Sequence, residues 1–250
     1  AQSLSAVLAF YRLTRPGTEY QICWRQIKAD VPMLRRILAI GLPSGVQNSI
    51  ISLANVIVQS NINQFGAHAM AGCGVYFKIE GFGFLPITCF AMALSTFVSQ
   101  NLGAGKTDRV RKGSIYGTLC SIGIAELVGV IVFTTAPWLM AAFNRDPDVI
   151  SYGVQQAHIE TLFWCLLGLS HCCAGILRGA GKAKVSMIVM LLCWCAIRIT
   201  YITVTVSIIP DIRVVFWAYP ITWTLSGILF MGYFKTQWKK VISQSTITVE

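Results

Sequence analysis

Six stretches of this chain are each long and apolar enough to cross a bilayer, and that constrains the fold more than any single residue does. They lie at about 37–64, 69–100, 109–135, 147–178, 183–209 and 213–235. A spanning helix needs ~20 predominantly apolar residues. None of the six sustains a two-residue alternation, which argues against a β-barrel. Composition agrees: 55% of residues are hydrophobic and only 12% are charged, where a soluble domain would carry about 25% charge. The expected fold is therefore an all-α, polytopic transmembrane bundle with six complete spans.

The net charge of +10 would raise the question of nucleic acid in a soluble protein. Here its placement gives another cause, and no nucleic-acid partner is expected. The segments before the first span, after the second, after the fourth and after the sixth hold sixteen of the twenty Lys and Arg residues. Loops rich in these residues stay in the cytoplasm. This orientation places a multi-pass chain in the cytoplasmic (inner) membrane with both ends on the cytoplasmic side. Residues 1–13 read as the end of a truncated membrane helix. Residues 14–36, with Trp24, Ile27, Leu34 and Ile37 among or beside their basic residues, read as an amphipathic cytoplasmic linker. Residues 37–236 form the six-helix region, and 237–250 a polar cytoplasmic tail.

The first span carries an uncharged polar stripe. Ser44, Asn48, Ser52, Asn55, Gln59 and Asn63 fall within an arc of about 100° when each residue advances 100° around a helix. Amides and hydroxyls are costly against lipid, so this face should meet other helices or a water-filled cavity. Charges within spans are the other candidates. Lys78 and Glu80 lie in the second span, Glu126 in the third, His158 and Glu160 in the fourth, and Arg198 in the fifth. Glu80 reads either as a proton or cation ligand at a central cavity or as an interhelical partner of Arg198. Glu126, another possible partner of Arg198, and Glu160 read as structural, and His158 and His171 as hydrogen-bonded interior residues. Trp217, Tyr219 and Trp223 read as a stacking surface for aromatic cations, as packing or as an interfacial belt, the belt at least as readily for Trp217. The second span, rich in glycine, should pack closely and loosen at Pro86. The third should stop near Pro137.

No catalytic motif is present, so no enzyme is expected. Cysteines occupy apolar runs at spacings that match no zinc pattern, so neither a metal nor another cofactor is expected. Without a phosphate-binding loop, any transport would draw on an ion gradient or be passive.

Five segments in order resemble one family. They are Gly41-Leu42-Pro43, Lys78-Ile79-Glu80-Gly81-Phe82-Gly83-Phe84-Leu85-Pro86, Ser99-Gln100-Asn101-Leu102-Gly103-Ala104-Gly105-Lys106, Leu177-Arg178-Gly179-Ala180-Gly181 and Tyr219-Pro220-Ile221-Thr222-Trp223. The chain is similar to the carboxy-terminal half of multidrug and toxic compound extrusion (MATE) antiporters. That resemblance implies one lobe of a twelve-helix, two-lobe exporter, whose partner is an amino-terminal six-helix lobe. It also implies small-molecule substrates, drugs or organic cations, exchanged for H⁺ or Na⁺. Substrate-cleft candidates are then Asn48, Ser52, Asn55, Gln59, Tyr219 and Trp223, with Lys78, Glu80 and Arg198 as ion-coupling or charge-pair candidates. Two positions depart from the sodium-coupled branch, which places carboxylates where this chain has Ile51 and Leu167. Coupling is then expected from the other lobe, or else from Glu80. The rival expectations are a lipid-linked oligosaccharide flippase, which would want a strongly basic cavity, and a non-transporting scaffold, in which the stripe would be dry.

Overall fold

The computed structural model describes residues 2–15, 21, 28 and 30–243, and among these the regular structure is entirely helical. The order is α1 (Gln2–Thr14), α2 (Val31–Asn63), α3 (Ala67–Gly103), α4 (Thr107–Phe143), α5 (Pro147–Glu160), α6 (Trp164–Gly179), α7 (Ala183–Leu191), α8 (Arg198–Ile208) and α9 (Ile212–Ser243). A 3₁₀ turn, Thr161–Phe163, joins α5 to α6, and a π turn, Leu192–Ile197, joins α7 to α8. Counting each joined pair once, α2 to α9 supply six segments long and apolar enough to cross a membrane. The chain divides after Leu38 into two compact units. The second unit holds the bundle, with Tyr76, Trp164, Phe216 and Trp223 buried in its core.

Three boundaries differ from expectation, each for a local reason. Helix α2 begins at Val31, inside the stretch read as linker. The Asp30 carboxylate accepts the Met33 N–H at 2.9 Å, an N-cap bond. Pro32 sits in the first turn, where a missing N–H costs nothing. Most of the linker before Asp30, including Trp24 and Ile27, lies outside the described residues. Helix α4 does not stop at Pro137 but continues to Phe143. Proline removes the donor that would bond the carbonyl four residues earlier, here that of Phe133. His158 on α5 faces that carbonyl, Nε2 to O at 3.2 Å. A side chain of a neighbouring helix thus takes the place of the missing backbone donor, as membrane helices require. At the other end, α9 runs on to Ser243, so the segment read as tail is helical for its first residues. Residues 244–250 lie outside the described set. Helix α3 also passes through Pro86 unbroken.

Small residues bring α3 and α6 together. A Cβ on Gly175 would collide with the Ala91 carbonyl, and one on Gly179 with that of Ser95. Two pairs spaced four apart therefore set one close backbone crossing. On α3 itself the expected role divides. Gly72 and Gly83 are closed in by α5 and by the Trp164 ring, while Gly74 and Gly81 face open space. The two Gly-Ala-Gly segments share one cap. Lys106 N–H bonds Asn101 O and Gly105 N–H bonds Leu102 O, at 2.8 and 3.0 Å. Lys182 to Leu177 and Gly181 to Arg178 repeat those bonds at the same distances. This is the Schellman arrangement, which needs a left-handed residue. Gly105 and Gly181 supply it with φ of 68° and 73°.

Candidate functional site

The buried edge of α2 consists of Gln47, Ala54, Val58 and Ile62, which turns its polar stripe along a cavity of about 910 Å³. Ser44, Asn48, Ser52, Asn55 and Gln59 line that cavity. Asn63, the last residue of the stripe, does not; its side-chain Oδ1 accepts from the Gln59 side-chain amide at 3.1 Å. Ser44 bonds back to Ile40 O, whereas Asn48, Ser52 and Asn55 make no hydrogen bond among the described residues. Their polar groups are left for water or a ligand. The facing walls come from α3 (Phe77, Glu80, Phe84), α6 (Leu167, His171, Arg178), the π turn (Trp194), α8 (Arg198) and α9 (Tyr219, Trp223).

Arg198 is 2% exposed, and its surroundings show how a charge is held there. Its Nε and Nη2 donate to Thr222 Oγ1 at 3.2 and 2.8 Å. The guanidinium lies 4.3 Å from the Tyr219 ring centre and 5.3 Å from that of Trp194, within cation–π range. The expected direct pair with Glu80 or Glu126 does not form. Elsewhere His68 Nε2 and the Asp146 carboxylate approach to 3.6 Å. Glu80 instead shares the cavity with Arg198 at longer range. Glu126 accepts the Cys165 backbone N–H at 3.3 Å. Lys78 is exposed, off the cavity, with its ammonium 5.8 Å from the Phe143 ring. It points elsewhere because it lies two residues before Glu80, on another side of the helix.

The aromatic candidates separate cleanly. Tyr219 and Trp223 are buried in the cavity wall, with ring centres 5.9 Å apart at 67°. Trp217 is exposed and packs edge-on to Phe163, a belt position. Because Arg198 already covers Tyr219, the aromatic surface is partly occupied by the protein's own cation. Two buried nitrogens, Trp223 Nε1 and His171 Nε2, have no hydrogen-bond partner, and both residues line the cavity. Buried polar atoms left unpaired in this way are uncommon and suit a water or a ligand.

Sequence reasoning missed four features. Gln47, His171, Arg178 and Trp194 line the cavity, yet Arg178 was counted among loop charges and His171 as an interior residue. Glu160, read as structural, is fully buried; Gln156 donates to its Oε1 at 2.8 Å. The Tyr76 hydroxyl lies near the same carboxylate. The Gln156/Glu160 spacing of four was the available signal. Ile51 and Leu167, the positions where a sodium-coupled branch would carry carboxylates, both lie in the cavity wall. Their apolar side chains leave Glu80 as the carboxylate of that surface. Away from it, His68, Asp146 and Asp148 bring three possible metal ligands within 4.8 Å of one another. They join the first turn of α3 to the N-terminus of α5, with His68 and Asp148 exposed.

Six membrane-length segments, five of which line one ligand-sized, mostly apolar cleft with a few convergent polar groups, define a polytopic membrane protein with a candidate small-molecule site. The chain belongs to the MatE family, whose model matches residues 43–204. It is 21% identical over 217 residues to "Probable multidrug resistance protein YoeA" of Bacillus subtilis, covering 86% of this chain and 47% of that protein. It is 30% identical over 128 residues to mouse "Multidrug and toxin extrusion protein 2", covering 51% of this chain and 22% of that one. The outward-facing structure of a multidrug resistance MATE family transporter superposes with a TM-score of 0.88 at 17% identity. That match covers 96% of this chain and 55% of the other, and it shows the shared fold. The chain thus spans about half the length of YoeA and still less of the mouse protein.

Proposed function

We propose that this chain forms one wall of the substrate cleft in a secondary transporter that exports drugs or organic cations in exchange for H⁺ or Na⁺. A second six-helix lobe, on this reading, supplies the facing wall. The observation that carries the proposal is the cavity itself, with neutral donors and acceptors on α2 opposite aromatics and one carboxylate. Neutral polar groups bond many partners without demanding one charge, and aromatic faces accept flat or cationic groups. A packed scaffold would bury the α2 stripe, yet Asn48, Ser52 and Asn55 are exposed toward the cavity.

In the full-length transporter, replacing Asn48, Asn55 and Gln59 together with Leu should cut dye efflux at least tenfold at unchanged expression. Unaltered efflux would remove the stripe from the substrate path. Glu80→Gln should leave substrate binding within about threefold but weaken the dependence of efflux on the ion gradient. If gradient dependence is untouched, coupling belongs to the other lobe.

A second reading rests on the two guanidinium groups, Arg178 and Arg198, in the same lining. Together they outnumber Glu80 and would suit a substrate carrying an anionic group. Efflux assays with a cationic and an anionic dye of similar size separate the readings. Arg178→Gln should impair export of the anionic dye alone if that reading holds.

A further inference from the structure

A second concavity lies on the opposite face of α6 from the cleft. Helix α6 turns Leu167, His171 and Arg178 toward the cleft. It turns Leu169, Cys173 and Ile176, about 180° away on the helical wheel, toward a groove of about 420 Å³. Helices α4 and α9 form the sides of this groove. Its walls are apolar apart from Thr118 midway along the α4 wall and one polar end, where Arg111 and Ser114 stand near Trp238.

Length and polarity both fit one occupant. From Arg111 to Ile122 the α4 wall rises about 16 Å at 1.5 Å per residue, roughly half of a ~30 Å hydrocarbon core. The groove is therefore as long as an acyl chain confined to one leaflet. Its polar end lies where α4 begins and where α6 and α9 approach their ends, the end of the bundle that carries Lys106, Arg109, Arg111, Lys112, Lys184 and Lys235. Asp108, in the first turn of α4, is the one acid between Gln100 and Gly123. Ser114, one turn deeper than Arg111, is 4% exposed, and its hydroxyl has no partner. A buried hydroxyl normally finds an acceptor, and an ester carbonyl would meet it at this depth.

We propose that this groove seats one acyl chain of an anionic phospholipid. The phosphate would lie against the Arg111 guanidinium, and Ser114 would donate to a glycerol ester carbonyl. Positive charge at this level attracts anionic headgroups, whereas a zwitterionic lipid would gain little from Arg111. The site is independent of what the cleft transports.

The test uses the full-length transporter in phosphatidylcholine liposomes doped with phosphatidylglycerol bearing a mid-chain diazirine. After irradiation, label should concentrate on peptides containing Thr118, Leu169 or Cys173. Unlabelled phosphatidylglycerol should compete it away, and unlabelled phosphatidylcholine should not. Arg111→Gln should reduce labelling about fivefold, and Arg111→Lys should retain most of it. Thr118→Trp, which fills the groove, should abolish it. Label spread evenly over the lipid-facing helices would overturn the proposal. So would equal competition by phosphatidylcholine, or labelling that Arg111→Gln leaves unchanged in protein that remains monodisperse.

Discussion

Arg198 shows how much a single buried side chain depends on its shape. Its charge has no carboxylate in contact; two N–H groups reach one threonine oxygen, and the planar face covers Tyr219. Lysine keeps the charge but has neither the fork nor the flat face. Arg198→Lys should therefore lower the melting temperature of the purified transporter, by an amount equivalent to about 1–2 kcal/mol. A thermal-shift assay that finds no change would mean the stacking contributes nothing. Arg198 was identifiable in sequence as an intramembrane charge, but its partners were not. Thr222 and Tyr219 sit more than twenty residues away, and nothing in spacing alone announces that an arginine will choose a hydroxyl over Glu80. Lys78 lies off the cavity for the opposite reason. Its position in an apolar run was plain, but which side of α3 faced the cavity could be learned only from how α3 packs.

At the scale of elements, the six spans were legible because hydropathy and charge placement vary over some twenty residues and need no tertiary knowledge. The stripe on α2 was legible for the same reason, since a 100° rotation brings its members together. Ends and breaks were less so. Asp30 was not read as a cap, and Pro137 looked like a stop because its compensating group, His158, comes from another helix. His158→Leu should leave the Phe133 carbonyl without a donor and destabilise the junction of α4 and α5 by about 1–3 kcal/mol. Differential scanning fluorimetry would register this, and His158→Gln should recover part of the loss. Close crossings make a sharper case. Gly175→Val places atoms where the Ala91 carbonyl already is, so α3 and α6 must separate. Loss of folded protein on size-exclusion chromatography is expected, with Gly74→Val, which faces open space, as the tolerated comparison.

For the molecule as a whole, the arrangement that matters is one cleft whose walls come from α2, α3, α6, α8 and α9. A cysteine at position 55, in a background stripped of the native cysteines, should react with a water-soluble maleimide in the intact transporter, and bound substrate should slow it. A thiol that never reacts from either side would mean a dry interface. The walls are not set independently, because the fifth span changes pitch at Leu192–Ile197 before delivering Arg198. A π turn is a helix carrying one residue more than its ordinary bonds require. Deleting Ala196 would let the helix close with ordinary bonds while the later side chains keep their facing, and Arg198 would stay near Thr222. A single codon lost at this point would therefore leave both the hydropathy profile and the charged wall in place, whereas one gained here, with the surplus already absorbed, would turn every later side chain by about 100°.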